Sequence, residues 1–250
     1  MIIIKSEREI ERMREAGQLA AHALERVVSS AAPGVTTLEL DALAEQHIVA
    51  AGGVPSFKGY RGFPGSICAS LNGEVVHGIP GATRLEEGDV LSVDVGAILK
   101  GYHGDTATSV AIGQVDRRIR RLLEAGEDAL QKGIERAEPG NHLSDISWAV
   151  QSYAESLGYS VVRDYAGHGI GRDMHEDPQI PNYGPPGRGP RLRAGMVLAI
   201  EPMLNEGDYR VATADDGWTV YTVDGGLSVH FEHTVAVTDE GWEILTARDA

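Results

Sequence analysis

Two apolar runs in this chain each stop on a carboxylate. Residues 90–94 read VLSVD and residues 197–201 read VLAIE, so the runs end on Asp94 and Glu201. A short run rich in Val and Ile indicates a buried strand. A carboxylate at the end of such a strand is costly to bury unless it is paired or binds a metal. The doubled pattern therefore predicts a duplicated fold with a shared acidic centre.

Other landmarks recur at a spacing of 106 residues, close to the 107 that separate the two carboxylates. They are Pro33 with Pro139 and Gly52 with Gly158. One long offset is not the short period of a solenoid, so we infer a single duplication rather than an array. We expect residues 1–250 to form one domain with two structural repeats, about 1–113 and 114–250, and a site near their pseudo-two-fold axis.

Composition excludes several classes of protein. The formal net charge of -15 argues against a general binder of nucleic acid or of membrane surfaces. The one basic cluster, residues 117–121, lies on a helical pattern with acids just after it, which favours a solvated helix face. The single cysteine, Cys68, excludes a disulfide framework and a cysteine-based zinc module.

The start of the chain does not read as a targeting segment. Its apolar stretch is too short for a signal-peptide core and turns charged at Lys5. No apolar stretch elsewhere approaches the length of a membrane span. We therefore expect a soluble, cytoplasmic protein.

Capping signals and turn residues predict the order of helices and strands. Ser6 and Thr36 each precede a glutamate by three residues, which indicates capping boxes. The predicted elements are a helix to about Val28, a second after Thr36, antiparallel strands over 54–113 with turns at 72–73, 80–81 and 87–88, a third helix from Asp116 to about Arg136, a fourth over about Leu143–Leu157, and a loop over Pro178–Pro190. Two helices followed by strands, twice over, predict an α+β fold: a duplicated antiparallel sheet with helices packed on one face.

Five residues stand out as candidate metal ligands: Asp94, Asp105, His168, Glu201 and Glu232. Asp105 and Glu232 each lead an alternating, strand-like segment. A glycine-containing turn at residues 101–104 would form a hairpin that brings Asp105 near Asp94. His168 lies in the segment GHGIG, residues 167–171, where glycines let the backbone pass close to a neighbour.

Four carboxylates and one imidazole form an oxygen-rich set of ligands. Without a cation, converging carboxylates would raise one another's pKa values. Two divalent metals about 3.5–4 Å apart would relieve that repulsion. Such ligands favour Mn or Fe over Zn, although availability decides which metal is bound. The alternative is that the acids are scattered surface residues, but their equivalent positions in two repeats favour a site.

Across nearly its whole length the chain resembles the methionine aminopeptidases, in their type I bacterial form, which have the pita-bread fold. The segments that carry the resemblance are NGEVVHGIP at 72–80, SVDVG at 92–96, GDTA at 104–107, GHGIG at 167–171, EPM at 201–203 and FEHT at 231–234. The gap between His175 and Glu201 is too short for the large insertion of the type II enzymes.

The resemblance implies a dinuclear site with two divalent metal ions, from among Mn, Fe, Co, Ni and Zn. Asp94 would chelate one metal, Asp105 and Glu232 would bridge the pair, and His168 and Glu201 would bind the other. A bridging water would be the nucleophile, with Glu201 as general base.

The resemblance also implies the residues that contact the substrate. His77 and His175 would hold the scissile peptide and stabilise the oxyanion, with His175 as the main donor. Tyr60, Phe63, Cys68 and Trp218 match the methionine pocket, with His77 at its edge. The alternative is that these pocket residues are simply core.

Several positions depart from the family pattern. Phe57 stands where many relatives have Cys, Phe63 where many have Tyr, and Met174 where an aromatic residue is common. Residues 206–224 hold five acids and one arginine, where some bacterial relatives carry a lysine-rich loop thought to contact ribosomal RNA. Phosphate contacts need cations, so we expect any ribosome docking to use another surface or to be weak.

The remaining histidines are interpreted as packed or surface residues: His22, His47, His103, His142 and His230. His233 directly follows Glu232 and should face away from the site on a strand.

The implied function is removal of the N-terminal methionine from nascent proteins when the second residue is small. The expected partners are nascent peptide N-termini, with no membrane and no sequence-specific nucleic acid, and the expected state is a monomer. Two rivals remain: a proline-specific aminopeptidase or dipeptidase of the same fold, and a non-catalytic binding homologue. The first normally carries an added N-terminal domain, and the second typically loses metal ligands.

Overall fold

Four helices and an extensive antiparallel sheet make up the structure, a computed structural model that describes residues 1–248. The helices are α1 (Glu7–Ser30), α2 (Thr37–Ala50), α3 (Arg117–Ile134) and α4 (Leu143–Ser156), with a short 3-10 helix at Tyr60–Gly62. The strands are β1 (Val54–Pro55), β2 (Ile67–Leu71), β3 (Glu74–Val76), β4 (Val90–Leu99), β5 (Tyr102–Ala111), β6 (Ser160–Val161), β7 (Ala166–Gly169), β8 (Glu176–Pro181), β9 (Val197–Ile200), β10 (Met203–Asn205), β11 (Val211–Thr213), β12 (Val220–Thr222), β13 (Ser228–His230), β14 (Glu232–Thr238) and β15 (Gly241–Ile244). The predicted α+β class is confirmed.

The main sheet joins the two halves of the chain side by side. Its strand order is β1-β4-β5-β14-β9-β7-β8, with β2 beside β4 and β15 beside β14. All of these neighbours pair antiparallel. The halves meet where β5 pairs with β14. Two further three-stranded sheets have the strand orders β13-β10-β6 and β11-β12-β3.

The helices begin where the sequence predicts caps. The Glu39 carboxylate accepts the backbone N–H of Thr36 at 2.7 Å, while Thr36 Oγ1 accepts that of Glu39 at 3.2 Å, so two free helix donors are satisfied. Glu9 likewise accepts from the backbone of Ser6 at 3.0 Å. Asp116 Oδ1 accepts the N–H of Ile119 at 2.9 Å. All four predicted helices are present, with ends within two residues of expectation.

Two apolar clusters attach the helices to the sheet. Leu91, Val93 and Val95 of β4 pack in a cluster with residues of α1 and α2, so Asp94 between them points to the opposite face. In the second cluster, Leu198 and Ile200 of β9 pack with residues of α3 and α4. Alternation along each strand therefore puts apolar residues under the helices and acidic residues on the other face.

The hairpin of β4 and β5 is longer than expected. Asp94 was predicted to end its strand and Asp105 to begin the next one, with the turn at residues 101–104. This was wrong: β4 continues to Leu99, and the strands are joined by Lys100 and Gly101. Both turn residues have positive φ, 52° and 80°, as a two-residue hairpin turn requires.

Glycines explain how the longer hairpin fits against its neighbours. A Cβ on Gly104 would lie 2.5 Å from the backbone of Gly17 in α1. A Cβ on Gly96 would lie 2.7 Å from Phe57 and Ser56. Because neither glycine has a side chain, the paired strands extend past the acids and beneath α1.

A second correction concerns the predicted loop over Pro178–Pro190. Residues 178–181 belong to β8, which pairs with β7 through partners such as Gly167 and Ile180. The sequence pattern did not indicate this strand, because proline is depleted in strand interiors and residues 178–181 contain two prolines. Proline is tolerated here because β8 is an edge strand.

Matched contacts recur in the two halves. Thr36 pairs with Arg84 in an isolated bridge, and His142 pairs with Arg191. In each pair the arginine also donates to a glycine carbonyl, Arg84 to Gly34 at 2.5 Å and Arg191 to Gly140 at 2.6 Å. The duplication and the single domain stay predictions, which these contacts support. Within residues 1–248, no helix combines the length and the apolar character needed to cross a membrane.

Candidate metal centre and pocket

Strand register brings the candidate ligands to one face of the sheet at the seam. Ala107 of β5 lies opposite Asp94 on one side and opposite Glu232 on the other. Side chains of paired residues project to the same face, so Asp94 and Glu232 flank Ala107. Asp105, two residues earlier on β5, projects to that face as well.

The other half of the chain contributes two further residues. His168 of β7 lies opposite Ala199 of β9, and Glu201 follows two residues after Ala199. His168 Nε2 lies 3.5 Å from Glu201 Oε1. A close approach at β7 makes this pairing feasible, since a Cβ on Gly167 would lie 2.4 Å from the carbonyl oxygen of Ala199. All five predicted ligands therefore line one cavity.

Burial and mutual repulsion perturb the pKa values of these groups. Desolvation raises the pKa of Asp105 to about 7. Desolvation, and then the charges of the neighbouring acids, raise the pKa values of Asp94, Glu201 and Glu232 well above their usual range. Desolvation lowers the pKa of His168 to about 4, so its imidazole is neutral near pH 7. The cluster therefore has an excess of acidic groups that a cation would stabilise.

The unpaired oxygens of this cluster fit divalent metal ions. Asp94 Oδ1, Asp105 Oδ1 and Glu232 Oε1 are buried and have no hydrogen-bond partner among the described residues. Such atoms are costly to bury unless a donor or a cation satisfies them. One ligand atom each from Asp105, His168 and Glu232 lies within 4.8 Å of the others. Carboxylate oxygens with a neutral imidazole are suitable ligands for such ions.

His175 sits beside this cluster and is oriented by Tyr60. Its ring centroid lies 4.2 Å from that of His168, and Tyr60 Oη is 2.9 Å from His175 Nδ1. The Tyr60 ring also stacks on the imidazole, with centroids 5.4 Å apart. Desolvation, followed by the charge of His168, lowers the pKa of His175, so a neutral ring is favoured near pH 7.

His77 has a strained backbone at the edge of the cavity. Its φ is 61°, in the left-handed region that non-glycine residues seldom adopt. The following Gly78 packs tightly, since a Cβ there would lie 2.4 Å from the carbonyl oxygen of Ala69. The His77 ring makes edge contacts with Trp218 and Tyr165, at centroid distances of 6.3 and 5.5 Å. Strain of this kind is often found at functional sites.

An apolar pocket adjoins the acidic cluster. Phe57, Phe63, Cys68 and Met174 are buried together, and Tyr60, Ile79 and Trp218 pack against them. Phe63 meets Trp218 edge-on at 5.1 Å. The acidic cluster and all of these apolar residues except Ile79 line a single cavity. All the predicted pocket residues line this cavity, and their contact with substrate stays a prediction.

Three further residues line the cavity beyond those predicted as site residues: Phe57, Arg61 and Met174. Phe57 and Met174 were identified from the sequence as departures from the family pattern. Arg61 gave no sequence signal. It has a positive φ of 49°, and its guanidinium lies 5.2 Å from the Tyr60 ring centroid.

His230 is the residue whose position the sequence interpretation understated. It is buried, as expected, but its Nε2 lies 3.8 Å from Glu201 Oε2. The sequence did offer a signal: His230 lies two residues before Glu232, and residues two apart on an extended strand project to the same face. His233, by contrast, contacts Thr246 Oγ1 at 2.9 Å, away from the acids.

The acidic segment 206–224 is organised by its own carboxylates. Asp216 accepts the N–H groups of Trp218 and Thr219, each at 2.8 Å. Asp224 accepts from the backbone of Asp208 at 2.6 Å and of Gly226 at 3.0 Å. These acids therefore hold turns, and one of the turns positions the indole of Trp218.

Comparison with known proteins places these features in a family. Residues 11–239 match the sequence model of metallopeptidase family M24. The chain is 56% identical to a methionine aminopeptidase of Clostridium acetobutylicum over 98% of its own length and 99% of the relative. It is 54% identical to methionine aminopeptidase 1 of Bacillus subtilis over the same shares.

Solved structures match the fold. The methionine aminopeptidase of Rickettsia prowazekii superposes with a TM-score of 0.97 at 46% identity, covering 99% of this chain and 100% of that one. The prolidase of Pyrococcus horikoshii gives 0.81 at 25% identity and covers all of this chain, but only 65% of the prolidase. The predicted pita-bread fold is confirmed by these matches.

Proposed function

The chain belongs to metallopeptidase family M24 and, within it, to the methionine aminopeptidases, and from this premise we propose that it removes N-terminal methionine from nascent proteins whose second residue is small. One observation carries the proposal: the acidic cluster and the apolar pocket share a single cavity. A terminal residue whose side chain fills the pocket would present its peptide bond to the cluster.

The pocket suits an unbranched thioether. Cys68 and Met174 offer polarizable sulfur, and Phe63 and Trp218 offer aromatic faces and edges. Burial raises the pKa of the Cys68 thiol, and the nearby acids reinforce the shift, so the thiol stays uncharged. A neutral, apolar wall favours methionine over charged side chains.

The proposed cofactors are two divalent ions, with Mn and Fe favoured and Co, Ni and Zn as alternatives. Asp94 would bind one ion, Asp105 and Glu232 would bridge both, and His168 and Glu201 would hold the other. When bound, such ions supply Lewis acidity that lowers the pKa of an attacking water and polarises the scissile carbonyl.

The protein's own groups would then handle protons and charge. Glu201 would accept the proton of the attacking water and pass it to the leaving amine. A Tyr60 hydroxyl that donates to Nδ1 would place the proton of neutral His175 on Nε2, where it would donate to the developing oxyanion. His77, fixed between Trp218 and Tyr165, would hold the peptide at the cavity edge.

Hydrolysis of two tripeptides tests the proposal. The chelator-treated protein would be assayed on Met-Ala-Ser and Ala-Pro-Ala, with and without Mn²⁺ or Co²⁺. We expect metal-dependent release of Met from the first peptide alone. Cleavage of the second peptide would assign the chain to the proline-specific relatives. Cleavage of neither would favour the non-catalytic alternative.

A pair of matched variants tests the mechanism. Glu201→Gln should abolish turnover while the circular dichroism spectrum is unchanged, because the amide cannot accept the proton. Glu240→Gln makes the same substitution at an exposed residue in the β14–β15 turn and should be fully active. A Glu201→Gln enzyme that keeps wild-type turnover would rule out Glu201 as the general base.

The site also bears on partners and location. We propose nascent peptide N-termini in the cytoplasm as substrates and a monomer as the working state. Residues 206–224 hold five acids and one arginine, and phosphate contacts need cations, so any ribosome contact would be weak or use another surface.

A further inference from the structure

His230 is a buried histidine whose ring lies close to Glu201 of the acidic cluster. Its exposed fraction is 2%, and its Nε2 has no hydrogen-bond partner among residues 1–248. The nearest acidic group is Glu201, whose Oε2 is 3.8 Å from Nε2. A buried polar nitrogen without a partner is uncommon and calls for a physical reason.

The backbone of His230 is held firmly in place. Its N–H donates to Ser109 Oγ at 2.8 Å, and Ser109 Oγ donates to its carbonyl at 3.0 Å. Ser109 is in turn 2.7 Å from Ser92 Oγ, so the anchor extends across β5 to β4. On its other side His230 pairs with Met203 of β10. The ring is thus presented from a fixed position.

The two oxygens of Glu201 face different imidazoles. Oε1 lies 3.5 Å from His168 Nε2, whereas Oε2 faces His230. An ionised carboxylate only accepts hydrogen bonds, so a stable contact requires the proton of His230 to lie on Nε2. Closing the gap to a hydrogen bond of about 2.9 Å needs a movement of roughly 0.9 Å, within reach of a small ring or carboxylate rotation.

We propose that His230 is a positioning residue for Glu201, donating a hydrogen bond from Nε2–H to Oε2 and leaving Oε1 to face His168 and a bound divalent ion. This inference rests on the proposed function for the role of Glu201 in turnover. The hydrogen bond itself can be tested without turnover, by the tautomer of His230 and by metal affinity. Partners of this kind fix the orientation of a ligand and raise metal affinity.

Three variants separate the hydrogen bond from the bulk of the ring. His230→Leu removes the donor but fills similar space. His230→Gln keeps an amide N–H that can reach the position of Nε2. His233→Leu is the matched control, since His233 is a half-buried histidine that contacts Thr246 Oγ1 at 2.9 Å, away from the acids.

Three readouts test the proposal. The first is the imidazole tautomer of His230 in the protein loaded with diamagnetic Zn²⁺, in which Glu201 is ionised, read by ¹⁵N NMR. The second is Co²⁺ affinity by titration calorimetry, and the third is kcat and KM for Met-Ala-Ser. We expect the Nε2–H tautomer in the wild type. In His230→Leu we expect Co²⁺ affinity and kcat to fall by about 10- to 100-fold with little change in KM. His230→Gln should restore most of both, and His233→Leu should leave Co²⁺ affinity unchanged.

The proposal is overturned if the ring carries its proton on Nδ1, if His230→Leu binds Co²⁺ and turns over like the wild type, or if His230→Gln is as impaired as His230→Leu. A wild type that binds Co²⁺ but releases no methionine would refute the proposed function alone. In that case the tautomer and the Co²⁺ affinities still decide the role of His230.

Discussion

Lys5 Nζ lies 2.6 Å from Glu176 Oε2, and the two side chains are 3% and 4% exposed. The pair joins the start of the chain to the residue that follows His175. Glu176 Oε1 also accepts the N–H of Arg172 at 3.0 Å. Gly171 leaves room for the pair, since a Cβ there would lie 2.3 Å from Glu176 Oε1. The N-terminal segment thus supports the turn that carries His175.

Replacing Lys5 with Met should destabilise the protein and impair turnover. The variant keeps the apolar stem but leaves the Glu176 charge buried without its partner, so we expect a loss of about 3–5 kcal/mol of unfolding free energy. Urea denaturation measures the loss of unfolding free energy, and kcat on Met-Ala-Ser shows whether the turn still positions His175. The control is Lys58→Met at an exposed pair with Glu45, which should cost less than about 1 kcal/mol. Equal losses of unfolding free energy in both variants would contradict a stabilising role for the buried Lys5–Glu176 pair.

Removing the Asp216 carboxylate should loosen the pocket wall. Asp216→Ala removes the acceptor for the backbone N–H of Trp218, so the indole loses its fixed position beside Phe63. We expect KM for Met-Ala-Ser to rise about three- to tenfold, which corresponds to the net contribution of one ordinary hydrogen bond, while kcat changes less. Asp215→Asn, at the exposed neighbour, should leave both constants unchanged. An unaltered KM in Asp216→Ala would show that the turn holds without this carboxylate.

The sequence was sufficient for features with local causes. The helix starts follow from caps three residues apart, such as Thr36 with Glu39, because the capping contacts lie within one turn. The acidic cluster was predictable because strand alternation and the repeat spacing constrain where Asp94 and Glu201 can point. The pocket residues came from the resemblance rather than from local pattern.

Features set by distant packing were not predictable. The strand β4 passes Asp94 because Gly96 meets Phe57, and β5 starts early because Gly104 meets Gly17 in α1. The two glycines are visible in the sequence, but the distant residues that they contact are not indicated by it. The approach of His230, the last residue of β13, to Glu201, which follows β9, likewise depends on strand pairing that is known only from the fold.

A methyl group on Gly104 should separate α1 from the hairpin that carries Asp105. The added Cβ would meet backbone atoms of Gly17 at 2.5 Å, and backbone cannot rotate away as a side chain can. We expect Gly104→Ala to lower the unfolding free energy by about 1–3 kcal/mol or more and to weaken Co²⁺ binding. Gly81→Ala is the control, because its Cβ would lie 3.9 Å from the nearest atom, the carbonyl oxygen of Ile79. Wild-type stability in Gly104→Ala would show that α1 can shift without penalty.

Divalent metal affinity should rise steeply with pH. Metal binding requires ionised carboxylates and neutral imidazole. The pKa of His168 is lowered to about 4, so His168 is already neutral above pH 5 and adds little to the slope. Asp105 has a pKa raised to about 7, and the other acids are raised as well, so each proton must be displaced below its pKa.

The direction of the pH dependence of metal affinity follows from the protonation of these acids. Since the raised acids lose their protons only as pH increases, we expect Co²⁺ affinity to increase by about tenfold or more between pH 6 and 8. Calorimetry in buffers of different ionisation enthalpy should show net proton release that diminishes as pH rises. Asp105→Asn should reduce that release, whereas Asp215→Asn should leave it unchanged. A Co²⁺ affinity that is flat between pH 5 and 8, without proton release, would mean that the acids are already ionised in the metal-free protein. The mutual repulsion among the buried acids, from which we infer the metal centre, would then be absent.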